Sequence, residues 1–153
     1  KKLVSRFMAV LMAMTMILSM SMTVFAAEAP KETLTVNNTV AGKTLDLYQI
    51  LQQQKTDDNV AYTLNSAYEG FLSNNIRISG SESLKGEALS EAAYNYVKDQ
   101  VGKDGSNGAA FAKDILDWIL KNKTIVDATH TTAPTTAGTT VINKLDYGYY
   151  VVY

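Results

Sequence analysis

The sequence holds few residues whose types and spacing could do chemistry, and its single histidine, His130, is the first of them. His130 lies in a threonine-rich stretch, residues 128–132, with no serine, cysteine or carboxylate beside it. A general base needs an orienting partner and a substrate proton within hydrogen-bonding reach. We therefore interpret His130 as an exposed loop residue. A single histidine also excludes a multi-histidine metal site.

Two other stretches superficially resemble ligand-binding loops. Asp57, Asp58 and Asn59 form a dense polar cluster, but they lack the spaced ligands and the glycine of a calcium-binding loop. Residues 102–108 are rich in glycine, but they follow a predicted helix and lack the Gly-Lys-Ser/Thr ending of a phosphate-binding loop. We interpret the first stretch as a solvated turn and the second as a helix–helix turn.

Composition excludes further classes of site and partner. The chain has no cysteine, which rules out zinc–thiolate sites, cysteine nucleophiles and disulfide bonds. Without residues 1–26, 11 of the 14 basic residues remain against all 15 acidic ones, a net charge of about −4. A mildly acidic surface argues against nucleic acid or anionic lipid as a partner. Since no active site assembles from these residues, we expect a non-catalytic protein without a cofactor.

The first 26 residues have the pattern of a secretory signal peptide. Three basic residues lie within the first six positions, and residues 7–22 are apolar and rich in methionine. Val24 and Ala26 then provide the residues at −3 and −1 of a cleavage site, so we predict cleavage between Ala26 and Ala27. The alternative is an uncleaved anchor, for which the apolar run is short, since a span needs about 20 residues. We expect membrane contact only during export, and a single domain over residues 27–153.

The spacing of apolar residues predicts strands near both ends of the chain and helices in the middle. Residues 33–36 alternate between polar and apolar, whereas the apolar run around Tyr48 suggests a strand that is buried on both faces. Three-to-four spacing after Glu87 and after Ala109 is typical of amphipathic helices. The predicted strands are 33–36, 44–51, 60–64, 124–128, 140–144 and 149–153, the predicted helices are 67–73 (capped by Asn65 or Ser66), 87–101 and 109–121, and the predicted loops are 74–85 and 129–140.

These elements predict an α+β fold, a β-sandwich with two or three helices inserted between its strands. We expect the first two strands to form a hairpin, and the last strand to pair with both of them after a bend at 146–148. Trp118 is predicted to pack in the core against the sheet. Most of the nine tyrosines lie at strand spacing, so we favour packing over carbohydrate binding.

Two segments give the chain a resemblance to a known family. Residues 34–50 read LTVNNTVAGKTLDLYQI, a first strand, a glycine-containing turn and a strand that ends in Tyr48 and Ile50. Residues 145–152 read LDYGYYVV, with Gly148, Tyr149 and Tyr150 at the centre. These segments are similar to the opening and the Leu-Pro-x-Gly-Tyr-Tyr-Leu-Val segment of the N-terminal domain of Gram-positive, sortase-assembled pilus backbone proteins. Asp146 stands where the family commonly has proline.

The resemblance implies an immunoglobulin-like, CnaB-like sandwich and a structural role in a cell-surface fimbria. It implies other pilin subunits and a sortase transpeptidase as partners, in the cell wall of a Gram-positive bacterium. The chain begins without methionine and ends within a predicted strand, so we treat it as part of a longer reading frame. The crosslinking lysine of a pilin motif and the LPXTG-type sorting signal are expected beyond Tyr153.

Family members often carry an intramolecular Lys–Asn isopeptide bond, whose formation needs a neutral lysine amine. Lys43 lies in a predicted turn, and the expected asparagine lies on a later strand, so we predict no such bond within these residues. Two other functions stay open. One is a non-polymerised, wall-anchored adhesin or secreted binding module that contacts a host surface ligand through loop 129–140 or the tyrosine-rich strand. The other is the leader domain of an extracellular enzyme.

Overall fold

The computed structural model of the protein describes residues 32–56, 59–74, 76–102 and 107–153. The predicted signal peptide, its cleavage site at Ala26 and Ala27, the pair Asp57 and Asp58, and positions 103–106 of the glycine-rich turn lie outside the described residues. The strands are β1 (Glu32–Thr39), β2 (Asp46–Thr56), β3 (Asn59–Leu64), β4 (His130–Thr131), β5 (Gly138–Leu145) and β6 (Gly148–Val152). The helices are α1 (Glu69–Leu72), α2 (Gly86–Val101) and α3 (Gly108–Lys121), with 3₁₀ turns at Ser66–Tyr68 and Ser81–Ser83.

Strand β2 is the centre of the larger sheet, which is antiparallel throughout. Leu51 pairs with Leu64 of β3 on one edge and with Tyr149 of β6 on the other. The two-residue strand β4 pairs with the start of β2, on the edge that β3 occupies further along. The apolar run of β2 therefore has hydrogen-bonded strands on both edges. Because this part of β2 is buried, water cannot satisfy its backbone groups, and neighbouring strands must do so.

Strands β1 and β5 form a separate two-stranded antiparallel sheet. The predicted hairpin of the first two strands is therefore wrong, as is the predicted pairing of the last strand with the first. The reason is burial: Leu34 and Val36 bury one face of β1, and Ile142 does the same for β5. Two such one-faced strands match each other, whereas β2, which is buried on both faces around Tyr48, needs a central position.

The molecule has three layers, with the larger sheet in the middle. On one face, apolar residues of β2 and β6 form a cluster with those of β1 and β5, so the two sheets pack together. On the other face, a larger cluster joins the sheet to the helices. The mixed fold with antiparallel sheets agrees with the predicted α+β class and is compatible with the predicted sandwich. The helix-side core contains Tyr48, Ile50, Leu51, Tyr149 and Val151 from the sheet, and Phe71, Leu89, Ala93, Val97, Phe111, Ile115 and Ile119 from the helices.

The helices follow the predicted periodicity closely. Both long helices start one residue earlier than predicted, and the side chain of Asn65 accepts a hydrogen bond from the Ala67 amide, as an N-cap does. Trp118 is only partly buried. It packs against the helix-side core, beside Tyr68 and Phe71, with ring centroids 6.2 and 5.7 Å away.

The segment between α3 and β5 differs from its prediction. Residues 124–128 are turn and irregular backbone, not a strand, and the strand in this region is β4, which includes His130. Loop 129–140 is instead fixed to the start of β2 and the preceding turn. Thr129, Thr132 and Thr135 donate their amides to the carbonyls of Leu47, Leu45 and Lys43, at 2.7, 2.9 and 2.7 Å.

Gly148 occupies the point where β6 comes closest to β2. The pairing passes from Gln49 opposite Tyr150 to Leu51 opposite Tyr149, so Ile50 is an extra residue and β2 has a bulge there. A Cβ atom on Gly148 would lie 2.1 Å from the carbonyl oxygen of Leu51. Only glycine fits this approach, because backbone atoms on a paired strand cannot move aside as the end of a flexible side chain can.

We expect Gly148→Ala to lower the free energy of unfolding by about 3 kcal/mol, because the new methyl group overlaps backbone. Gly70→Ala is the matched control, since its Cβ would lie 3.5 Å from Trp118 Cζ2, an ordinary contact. The control should change stability by less than about 1 kcal/mol. Urea unfolding followed by tryptophan fluorescence measures both. Equal effects of the two substitutions would contradict the close approach.

Candidate functional site

The four residues that carry the family resemblance lie on neighbouring strands. Tyr48 is on β2, Gly148, Tyr149 and Tyr150 are on β6, and all four are buried. Tyr48 and Tyr149 belong to the helix-side core, whereas Tyr150 belongs to the cluster between the sheets. The structure thus brings together two segments that are about a hundred positions apart in the sequence, at the centre of the middle layer. Their role here is to hold the layers together.

Tyr150 ties β6 to the bend that precedes it. Its hydroxyl donates a hydrogen bond of 2.6 Å to the carbonyl oxygen of Asp146, four residues upstream. Burial, together with the charge of Asp146, raises the pKa of Tyr150. The phenol therefore stays protonated and keeps donating this bond. The bend is further fixed by a hydrogen bond from the hydroxyl of Tyr147 to the carboxylate of Glu32 on β1.

Tyr149 has a different environment on the opposite face of β6. Its side chain is 1% exposed, and its ring meets Tyr62 and Tyr94 edge-on, with centroids 5.5 and 6.2 Å away. Burial and the nearby phenols of Tyr62 and Tyr94 raise the pKa of Tyr149 to about 12. Its hydroxyl has no hydrogen-bond partner among the described residues. An unsatisfied hydroxyl in the core is unfavourable.

A groove lies above this buried tyrosine, between β3 and α2; we call it the tyrosine groove. Its volume is about 360 Å³. Tyr62 and Tyr94 stack within it, with ring centroids 4.3 Å apart and planes 7° from parallel. The tyrosine groove is lined by Val60, Ala61, Tyr62, Glu87, Glu91, Tyr94 and Asn95.

A second groove, also of about 360 Å³, lies along the threonine-rich segment and includes His130. His130 is exposed and belongs to β4 rather than to a loop. The hydroxyls of the segment are largely committed to the fold. Thr129 accepts from the Gln49 amide at 3.0 Å, and Thr132 accepts from the Leu45 amide at 2.9 Å. This groove therefore has few hydroxyls to offer a ligand, and we assign the segment a structural role.

The lysines bear on the predicted absence of an isopeptide bond. Each of the eight lysines in the described part of the chain is exposed to solvent. Lys43 lies beside the turn at Gly42, as the sequence suggested. The condensation needs a neutral amine, which desolvation of the lysine can supply. None of these lysines has the desolvated environment that the condensation requires.

Two further features are absent from the described residues. They contain no group of three or more histidine, cysteine, aspartate or glutamate side chains that could hold a metal ion. Within the same residues, no helix has both the length and the apolar character needed to cross a membrane. Comparison of the chain with models of protein families, with curated proteins and with solved structures gave no match.

Sequence reasoning missed the tyrosine groove, although part of its signal was present. Glu87, Glu91 and Tyr94 recur at helical spacing, so they share one face of α2. Tyr62 was on a predicted strand. Tertiary packing decides which strand this face of α2 covers. The position of a helix on a sheet cannot be predicted from the local pattern of a single sequence.

The two adjacent tyrosines of β6 should respond to loss of the hydroxyl with opposite signs. Tyr150→Phe removes the hydrogen bond to Asp146 and should lower the free energy of unfolding by about 1 kcal/mol. Tyr149→Phe removes an unsatisfied hydroxyl and should raise it by about 1 kcal/mol. Urea unfolding of both variants checks this. A destabilising Tyr149→Phe would show that a bound water or another group satisfies the Tyr149 hydroxyl.

Proposed function

We propose that the chain is the N-terminal domain of a structural subunit of a cell-surface pilus, which a sortase polymerises covalently. The observation that carries the proposal is the pairing of β2 with β6. The two segments that resemble pilus backbone proteins end in these strands, which form the centre of the fold through Tyr48 and Tyr149. A resemblance confined to exposed loops would have been weaker support, because loops vary while the core defines a domain.

The finer fold that we propose is immunoglobulin-like, of the CnaB type. Its support is the packing of two antiparallel sheets and the hydrogen bond from Tyr150 to Asp146. A tyrosine that closes a bend onto the backbone a few residues upstream is the tyrosine corner of such sandwiches. The helices between β3 and β4 are the inserted elements.

We also propose that one more strand completes the larger sheet. Asp46 and Tyr153 exchange two backbone hydrogen bonds, so alternate residues of β6 direct their amides and carbonyls away from β2. Tyr150 and Val152 are those residues, and their backbone groups bond to no described residue, although both side chains are almost fully buried. Buried backbone groups need partners, so a strand from a longer form of the domain would fit this edge.

In this proposal, a signal peptide that ends at Ala26 exports the chain and the subunit has no catalytic activity of its own. Its partners are other pilin subunits and the sortase that joins them, at the cell wall of a Gram-positive bacterium. The joining lysine would lie in a pilin motif beyond Tyr153. An amide between a lysine and a sorting signal requires no cofactor within the subunit.

The decisive experiment is an immunoblot of cell-wall extract, boiled in detergent, with antiserum raised against residues 27–153. We expect a ladder of high-mass species, because amide-linked subunits stay joined when the protein is denatured. Deletion of the sortase gene is the control and should collapse the ladder to the monomer. A single monomer band in the wall fraction of cells that express sortase would contradict polymerisation.

One observation favours a second candidate, a non-polymerised adhesin or secreted binding module. The tyrosine groove has the concave shape and aromatic lining of a recognition site. The immunoblot separates the candidates: a monomer in the wall fraction supports an anchored adhesin, and a band only in the medium supports a secreted module or an enzyme leader.

The exposed lysines lead to a prediction about the covalent state of the domain. We expect the intact mass of the exported domain to equal the sequence mass, since no described lysine is desolvated. An isopeptide bond would lower the mass by about 17 Da, one molecule of ammonia. Denaturation before mass spectrometry, with and without trypsin, serves as the control. A loss of ammonia assigned to peptides within residues 32–153 would contradict the prediction.

A further inference from the structure

Strand β3 has an open backbone edge within the tyrosine groove. The backbone N–H of Asn65 donates a hydrogen bond to the carbonyl oxygen of Ile50 on β2. The backbone N–H of Leu64 points the other way and donates to the hydroxyl of Ser90 on α2. Backbone direction alternates along a strand, so the amides and carbonyls of Tyr62 and Val60 also point away from β2. Neither residue has a backbone partner on this edge among the described residues. Helix α2 thus covers the end of the edge and leaves its first part open.

The opposite wall of the tyrosine groove carries two uncompensated negative charges. Glu87 and Glu91 are one helical turn apart on α2, and both are exposed. Neither carboxylate forms a salt bridge within the described part of the chain. Two basic residues lie nearby, Lys55 opposite Val60 in the ladder and Lys98 one turn beyond Tyr94, and neither pairs with a glutamate. The wall is therefore suited to a cation supplied from outside.

The aromatic pair gives the tyrosine groove a surface that suits the same chemistry. The Lys98 ammonium lies 5.7 Å from the centre of the Tyr94 ring, so this ring already attracts one cation of the chain itself. Beneath the pair, the unpartnered and almost fully buried hydroxyl of Tyr149 adds a polar atom to the tyrosine cluster. The methylene stem of a lysine or arginine would pack on the rings while its charged end meets the carboxylates.

We propose that the tyrosine groove binds a short extended peptide segment of another protein molecule that carries a lysine or arginine. The segment pairs with the open edge of β3 through the backbone of Val60 and Tyr62, and its basic side chain lies between the stacked tyrosines and Glu87 and Glu91. Strand addition supplies sequence-independent hydrogen bonds, and the side-chain site supplies selectivity. The groove volume restricts the contact to a few residues. The proposal does not depend on pilus assembly.

Two other sites and ligands fit less well. A neutral oligosaccharide would use the tyrosines but would leave both carboxylates without a cationic partner. The open edge of β6 differs from that of β3, because Tyr150 and Val152 are buried, so it suits a permanent strand of the fold rather than an exchanging ligand. Val60, in contrast, is 50% exposed and carries a free edge.

The test is a titration of the ¹⁵N-labelled protein with the peptide acetyl-Thr-Val-Lys-Val-Thr-amide, followed by amide chemical shifts. We expect saturable shifts at Val60, Tyr62 and Tyr94. The peptide with norleucine in place of lysine should bind about tenfold more weakly, because it lacks the charge. A peptide that is N-methylated at the lysine and both valines should also bind about tenfold more weakly, because it cannot pair as a strand.

Paired charge variants locate the site on the protein. Glu87→Gln with Glu91→Gln should weaken the lysine peptide about tenfold while leaving the norleucine peptide unchanged. Glu69→Gln with Glu82→Gln removes the same charge outside the tyrosine groove and should have no effect. Amide spectra that match the parent outside the groove confirm that each variant is folded.

Several results would overturn the proposal. One is the absence of saturable shifts at Val60 and Tyr62 with peptide at about 1 mM, a concentration at which even weak binding is visible. A second such result is equal affinity for the lysine peptide and the norleucine peptide. A third is equal affinity for the lysine peptide and its N-methylated form. Shifts of the same amides by chitotriose, with none by the lysine peptide, would assign the tyrosine groove to a carbohydrate instead.

Discussion

The burial of β6 on both faces is the constraint on which the rest of the structure depends. Tyr149 and Val151 extend into the helix-side core, and Tyr150 and Val152 extend into the cluster between the sheets. This five-residue strand, together with β2, thereby joins the two hydrophobic clusters. Because each side chain fills a different layer, a shift of one residue in the pairing of β6 with β2 would exchange the two sets and disrupt both clusters at once.

The register of β6 is fixed by backbone and polar contacts at its start. The bulge at Ile50 lets β2 change register beside Gly148, where β6 comes closest to the carbonyl of Leu51. Immediately before the strand, the bond from Tyr150 to Asp146 closes the corner between the two sheets. The apolar contacts thus supply the driving force for this arrangement. Gly148 and the hydroxyl of Tyr150 determine the register in which β6 pairs with β2. The grooves at the surface are consequences of how the helices then cover this central pair of strands.

The sequence predicted most of the elements and the pairing of the last strand with β2, but not the pairing of β1 with β5. The two long helices and β6 were predicted within one residue, because their apolar spacing is regular and their ends carry turn residues. Strand β2 continues to Thr56, five residues beyond its predicted end, because the polar residues after Leu51 pair with β3. The pairing of β1 with β5 was missed, because a short linker between two strands favours a hairpin unless burial requires separate sheets. The β-branched residues within 124–128 suggested a strand. In the structure, the following residues 129–131 form the hydrogen bonds to β2 instead. The tyrosine groove joins β3 to α2, and no local signal reports such a contact. The family resemblance stays a prediction from the sequence, because the comparisons gave no match.

The threonine-rich segment has a consequence for how its sequence can vary. Thr129, Thr132 and Thr135 recur at every third position, and each uses both its amide and its hydroxyl against residues 40–49. The segment is repetitive in composition, yet it is specified by position: Thr131 between them also bonds to Asp46, whereas Ala133 and Pro134 are exposed and form none of these bonds. Substitutions at Ala133 and Pro134 should accumulate more freely than at the threonines, whereas an insertion or deletion of one residue would move every later hydroxyl away from its partner. A segment of low sequence complexity can therefore still have a fixed hydrogen-bond register.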